Sequence, residues 1–268
     1  EFVIRLYCVN PIENLAQCLS QGKAAVFFSA TLLPLRYYRM LLSDQEEDYT
    51  VYVPSPFPQE RRLLLAATDV TSRYTRRNET EYRRVLHYIQ AMASAKKGNY
   101  IVFFPSYQFM DRMVADGVAS ELGREIWYER RDMPQEELME VFEGFRTSEG
   151  SVLFCVTGGR ISEGLDFPDK SLELAVLIGI PYPKPTAKMR AMTRYYDAKF
   201  GDGRLYVSII PASRKMRQSI GRLIRSETDR GVAAILDRRA ASVRDVDATL
   251  CGDIPAAVEA FFSGDSGV

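Results

Sequence analysis

Along this 268-residue chain, short runs recur that are nearly continuously apolar rather than alternating: Ala24–Ser29, Leu63–Ala67, Tyr100–Phe104, Val152–Val156, Leu172–Ile180, Leu205–Ile210 and Val232–Leu236. A strand with one wet face alternates apolar and polar residues, whereas a strand buried on both faces reads as a continuous apolar run, the habit of parallel sheets. Helical patterns separate the runs, at Glu79–Ala95, Tyr107–Leu122, Gln135–Phe145, Thr186–Phe200 and Arg214–Arg225. The alternation predicts an α/β fold, a doubly wound and mainly parallel sheet flanked by helices. No repeat or low-complexity tract interrupts it. The proline-rich stretch Val53–Pro58 reads as a rigid extended loop, not a domain boundary, so residues 1–268 read as one domain.

Composition removes several function classes. Thirty-five basic and 35 acidic residues give no net charge, so the whole-chain balance does not argue for nucleic acid. Local clusters do: Arg214, Lys215, Arg217, Arg222 and Arg225 form one, and Arg73, Arg76, Arg77, Arg83 and Arg84 another. Cys8, Cys18, Cys155 and Cys251 lack C-x-x-C spacing, which argues against a zinc site and for a reducing, intracellular compartment. His87 is the single histidine, so acid–base and metal roles built on histidine have little support. No apolar run reaches membrane-spanning length, and no signal peptide is visible. The chain opens at Glu1-Phe2 inside a strand-like run and reads as a fragment.

Ligands in open α/β sheets bind beyond the carboxyl ends of strands, and four such places carry unusual chemistry. Ser29-Ala30-Thr31-Leu32 offers hydroxyls that could meet phosphate or cap the helix starting at Leu35. In Phe103-Phe104-Pro105-Ser106-Tyr107, Ser106 can cap a helix whose free N–H groups suit a phosphate, with Tyr107 placed to stack on a base; a plain cap and a packed tyrosine fit equally. Thr157-Gly158-Gly159-Arg160-Ile161-Ser162-Glu163-Gly164-Leu165-Asp166-Phe167 combines glycines that allow close backbone approach with two carboxylates, Glu163 and Asp166, suited to holding arginines. After Ile180-Pro181-Tyr182-Pro183, a helical run carries Lys188, Arg190, Arg194, Tyr195 and Tyr196, a basic and aromatic mixture that suits single-stranded nucleic acid or an ordinary amphipathic helix.

The fifth feature is Gln218-Ser219-Ile220-Gly221-Arg222-Leu223-Ile224-Arg225. On a helix, Gln218, Gly221, Arg222 and Arg225 would share one face. Guanidinium forks match phosphate oxygens and can stabilise the charge that develops as a γ-phosphate is transferred. A solvated basic face is the alternative reading.

Taken in order, these elements resemble the second, C-terminal RecA-like motor domain of the XPD/DinG family of superfamily 2 DNA helicases. Ser29 to Leu32 resembles the family's motif III, Phe103 to Tyr107 motif IV, Gly158 to Phe167 motif V and Gln218 to Arg225 motif VI, with Leu236-Asp237-Arg238-Arg239 trailing. The resemblance runs from Phe2 to Arg239, and Ser-Glu-Gly-Leu-Asp-Phe in motif V leans to the XPD branch. It implies an ATP-dependent motor moving 5′ to 3′ on single-stranded DNA. Arg222 and Arg225 would then reach the γ-phosphate, and Gln218, Glu163, Gly164 and Asp166 would line the nucleotide cleft. Ser106, Tyr107, Thr157, Arg194 and Tyr195 would hold DNA, and Ser29 and Thr31 would couple the two sites.

The departures are specific. The chain has no G-x-x-x-x-G-K-[ST] loop and no Asp-Glu-x-His. The resemblance therefore implies ATP and Mg2+ bound mainly by a first motor domain, negligible hydrolysis by this chain alone, and any iron–sulfur cluster in that other half. Implied partners are single-stranded DNA, the first motor domain and regulatory proteins, with no membrane. A non-catalytic α/β module binding single-stranded nucleic acid or a partner stays open; a small-molecule enzyme lacks a nucleophile elbow or a dinucleotide fingerprint.

Overall fold

The computed structural model describes residues 2, 4, 6–43, 45, 47–115, 117, 121–164, 167, 172–224 and 226–264, with backbone alone at 163 and 164. The chain divides into two compact units, Glu1–Ser55 with Pro183–Arg214 and Pro56–Tyr182 with Lys215–Val268.

The larger unit holds a seven-stranded sheet: β1 (Arg62–Ala67), β2 (Tyr100–Phe104), β3 (Ile126–Tyr128), β4 (Val152–Val156), β5 (Leu174–Leu177), β6 (Gly231–Ile235) and β7 (Thr249–Cys251). Their order is β3-β4-β2-β5-β6-β1-β7, and every pairing is parallel. β2, β4, β5 and β6 are buried along their whole length, as their unbroken apolar runs require. Among the described residues the α-helices, in chain order, are α1 (Ile12–Leu19), α2 (Leu35–Leu42), α3 (Glu79–Ala95), α4 (Tyr107–Ala115), α5 (Gln135–Thr147), α6 (Arg160–Gly164), α7 (Ala187–Phe200), α8 (Ile210–Ile220) and α9 (Ile254–Ser263). None is long and apolar enough to cross a membrane.

Alternate residues of the strands face opposite ways. Val102, Phe104, Phe154, Val176 and Ala234 share one core cluster with Val85, Ile89 and Met92 of α3, Met110 and Met113 of α4 and Val258 of α9. The intervening Ile101, Phe103, Leu153, Cys155, Leu177 and Ile235 are equally buried on the other face. Each large aliphatic or aromatic side chain so buried contributes about 1.5–3 kcal/mol, and the double burial holds the central strands in place.

Local signals start the helices. The Asn78 side chain accepts from Glu81 N at 3.0 Å ahead of α3, and Thr186 accepts from Met189 N at 3.2 Å ahead of α7. Gly201, at φ +83°, closes α7 in the left-handed region.

Two expected strands do not form. Leu205–Ile209 is a π-helical turn leading into α8. Asp202 Oδ1 accepts from Leu205 N at 2.9 Å, capping a helix where the β-branched run suggested a strand. The Tyr206 ring stacks on Tyr196 at 5.6 Å and on Phe200 at 4.9 Å, contacts that hold it in the helical path. The wider turn ends two residues before Pro211, which has no N–H to donate. Ala24–Ser29 pairs with no strand among the described residues, and Val26 and Phe28 stand 82 % and 89 % exposed; its strand propensity meets no ladder. The expected helix Arg214–Arg225 instead runs Ile210–Ile220 and then tightens, with Arg222 N donating to Ser219 O at 3.3 Å. β5 is shorter than its apolar run. β3 and β7 are three-residue edge strands too short to register as patterns.

At the carboxyl edge, Asp237 follows β6 with no exposed surface. Its carboxylate accepts from Ser72 N and Ser72 Oγ, both at 2.9 Å, and from Arg239 Nε at 2.9 Å and Nη2 at 2.6 Å. These bonds tie the loop after β1 to the end of β6. Gly179, after β5 at φ +78°, completes the junction, since an added Cβ would lie 1.9 Å from Ser72 Oγ. Burial works to raise the Asp237 pKa, but the bonds from Arg239 and Ser72 outweigh it and hold the carboxyl below the usual carboxylate range. A depressed pKa contributes stability that is full above the unfolded value of about 3.9 and is lost as pH falls through the folded one. Asp237→Asn should cost about 1–3 kcal/mol at neutral pH and flatten the acid limb of stability against pH. Chemical denaturation from pH 3 to pH 7 checks both, and an unchanged acid limb would remove Asp237 from that account.

Candidate functional site

β2 lies between β4 and β5, so the chain passes β2 when it goes from β4 to β5. The loops leaving β2 and β4 therefore open onto one rim, where a doubly wound sheet places its ligands. Thr157 extends the ladder, its N–H donating to Phe104 O at 2.9 Å, and the chain then turns through Gly158 at φ +76°. Gly158 N donates to Ser162 Oγ at 3.0 Å, and Gly159 N to Val156 O at 2.8 Å. The short helix α6 follows.

The segment carrying the Q-x-x-G-R motif lies on this loop. Arg222 Nη2 donates to Ser162 O at 2.9 Å across 60 residues of sequence. Lys215 passes over Gly158 so closely that an added Cβ would be 2.9 Å from Nζ. Two motifs distant in sequence thus meet, with a lysine and an arginine against a glycine turn. The described bond of Arg222 is to a backbone carbonyl. The side chain of Glu163, together with Asp166 and Arg225, lies outside the described residues, and only the backbone of Gly164 is described, so the expected carboxylate–arginine pairing falls there too. Gln218, on α8, is half-buried, and its side-chain oxygen is shielded from solvent.

Ser106 caps α4, accepting from Phe109 N at 3.3 Å. Tyr107 is half-buried: its hydroxyl donates to Glu129 Oε1 at 2.5 Å, and the Arg131 guanidinium lies 5.5 Å from its ring centroid. Burial, then the bond to Glu129, pushes the Tyr107 phenol above its ordinary range. Glu129 is the residue that sequence reasoning passed over. It follows β3, its N–H donates to Phe154 O at 2.9 Å, and its carboxylate is fully buried. Besides Tyr107, Glu129 accepts from Arg160 N at 3.0 Å and Val156 N at 3.2 Å. The available signal was an acid directly after the apolar triplet Ile126-Trp127-Tyr128. Cys155 lies within electrostatic reach of both sides: burial and then Glu129 push its thiol well up, while Arg222 opposes them. A thiol so placed is inert packing.

The remaining expected residues are in the smaller unit. Ser29 Oγ accepts from Thr31 N at 3.3 Å, a local hydroxyl turn. Arg194 and Tyr195 are exposed on α7, with Tyr195 OH accepting from Asn10 Nδ2 at 3.0 Å. Among the described residues, no group of three or more histidine, cysteine, aspartate or glutamate side chains could hold a metal ion. The described residues do not fit a magnesium site.

Gly159 has no space for a side chain: a Cβ would lie 2.8 Å from both Glu129 oxygens and from Val156 O. At Gly252, an added Cβ meets nothing within 4 Å. Gly159→Ala should therefore destabilise the protein by about 1–3 kcal/mol, the usual result of overpacking, and Gly252→Ala should be near neutral. Urea melts of the two variants check the contrast; equal midpoints would show that the loop yields.

The helicase C-terminal domain model matches residues 89–256, more than half of the chain. The regulator of telomere elongation helicase 1 homolog of Drosophila melanogaster is 27% identical over 267 residues, covering 88% of this chain and 26% of its own length. ATP-dependent DNA helicase XPD of Sulfolobus acidocaldarius is 26% identical over 249 residues, covering 88% of this chain and 43% of its own. ATP-dependent DNA helicase chl-1 of Caenorhabditis elegans is 26% identical over 276 residues, covering 94% and 33%. The chain spans less than half the length of these relatives. A solved XPD helicase structure matches 88% of this chain and 44% of its own with a TM-score of 0.67 at 23% identity, which shows a shared RecA-like fold. The chain belongs to the helicase C-terminal domain family, with XPD-type helicases among its relatives.

Proposed function

We propose that residues 1–268 act together as the C-terminal motor domain of an ATP-dependent 5′-3′ DNA helicase. ATP is held mainly by a first motor domain. Arg222 and Arg225 reach its γ-phosphate, with Gln218, Glu163, Gly164 and Asp166 on the same side. Ser106, Tyr107 and Thr157, with Arg194 and Tyr195, grip the single strand, and Ser29 and Thr31 couple the two events.

The observation that carries this reading is the contact between motif segments: Arg222 bonded to Ser162 O and Lys215 laid over Gly158. Phosphoryl transfer asks little covalent chemistry of the protein and much positioning of charge. An arginine whose direction is set by a backbone carbonyl is already oriented before a phosphate arrives. The exposed apolar run Ala24–Phe28 supports a partner domain on the smaller unit, because a contiguous exposed apolar run marks an interaction surface.

In the full-length protein, Arg222→Ala should lower the turnover of ATP hydrolysis by about a thousandfold, with single-strand affinity kept within about threefold. Steady-state hydrolysis and fluorescence anisotropy on one preparation check both. Loss of strand binding with normal hydrolysis would overturn the assignment in favour of a non-catalytic strand-binding module.

A further inference from the structure

A carboxylate with no exposed surface needs donors, since an uncompensated buried charge is strongly destabilising. Glu129 finds its donors in separate segments. Tyr107 donates from the first turn of α4, and Val156 N and Arg160 N donate from either side of the turn after β4. Tyr107 and Arg160 N share the same oxygen, Oε1. The turn is wrapped onto the carboxylate without clearance at Gly159. On its other side, the same turn meets Lys215 at Gly158 and Arg222 at Ser162.

We propose that Glu129 is a positioning residue that links the strand-gripping segment Ser106–Tyr107 to the nucleotide-facing turn Gly158–Ser162. The proposal rests on the reading of the chain as a helicase motor half. A DNA strand that engages Tyr107 shifts a hydroxyl bonded to Oε1, and that oxygen also holds the N–H at the start of α6. The carboxylate cannot follow one donor and abandon the others at small cost, because each abandoned buried N–H loses its acceptor. Tyr107 and the turn therefore move together or stay together. Arg222, bonded to the turn, is carried along. Glu129 touches neither strand nor nucleotide; it acts through the two segments that do.

The test is a double-variant cycle in the full-length helicase, with Glu129→Gln and Tyr107→Phe made singly and together. A glutamine presents one oxygen, so whichever way the amide turns, one backbone N–H faces an NH2 group. The readout is the stimulation ratio, the turnover of ATP hydrolysis at saturating single-stranded DNA divided by that without DNA. Each single variant should lower this ratio by about tenfold, a common size for coupling between sites, and the double variant should lower it no further than the larger single effect. Two outcomes would overturn the proposal. In one, the effects of the two variants multiply. In the other, the ratio stays at its wild-type value while both rates fall in parallel, the mark of a merely structural role. Should Glu129→Gln not fold, Tyr107→Phe carries the test alone, and an unchanged ratio overturns the link. Arg222→Ala in the same assay keeps the two readings apart: if hydrolysis survives it, the arginine assignment fails whatever Glu129 does.

Discussion

The position of β2 between β4 and β5 governs the rest of the molecule. Parallel strands all end on the same rim, and strand order decides which loops become neighbours there. With β4 on one side of β2 and β5 on the other, the loops leaving β2 and β4 share a rim. One contains Ser106 and Tyr107; the other contains Gly158 to Ser162. The ladder places Thr157 N 2.9 Å from Phe104 O, so the two loops depart from a fixed common point. Burial on both faces holds that point, because a slip of one residue would misfit side chains close-packed on each face.

The rim then has to hold buried charge, and it does so in two ways. Asp237 is met by a guanidinium as well as backbone and hydroxyl donors, and its pKa falls below the usual carboxylate range. It fastens the end of β6 to the loop after β1, where no motion is called for. Glu129 accepts from two backbone N–H groups and a phenol. Neutral donors compensate a buried carboxylate less strongly than a guanidinium does. In the proposed coupling, a junction that moves with ligands is better built from such bonds than from an ion pair.

The sheet was legible because its strands obey one simple rule. β2 and β4 have the limits that their apolar runs suggested, and α3 matches Glu79–Ala95. Leu205–Ile210 misled because β-branched residues suggest a strand, while the Asp202 cap and the stacked rings of Tyr196, Phe200 and Tyr206 are tertiary facts that local pattern does not carry. Ala24–Ser29 misled differently: its residues suit a strand, but a strand exists only beside another. At the site, the meeting of the Gly158 and Arg222 segments followed from motif order. Glu129 did not, because its importance lies in three donors brought from other elements, and a single acid after a short edge strand carries no periodic signal. The arginine side chain at position 222 was read from spacing on one long helix, yet it reaches the loop from a turn beyond the end of α8.

We propose that this rim faces a nucleotide bound by another domain, with Arg222 directed at its terminal phosphate. The most direct measurement is the distance from the Arg222 guanidinium to the γ-phosphate oxygens in the full-length protein, trapped on single-stranded DNA with a non-hydrolysable ATP analogue. Hydrogen-bond contact, about 2.7–3.2 Å, is expected, with the Gly158–Ser162 turn beneath it. A nucleotide bound elsewhere, with Arg222 still bonded to Ser162 O and away from any phosphate, would contradict it.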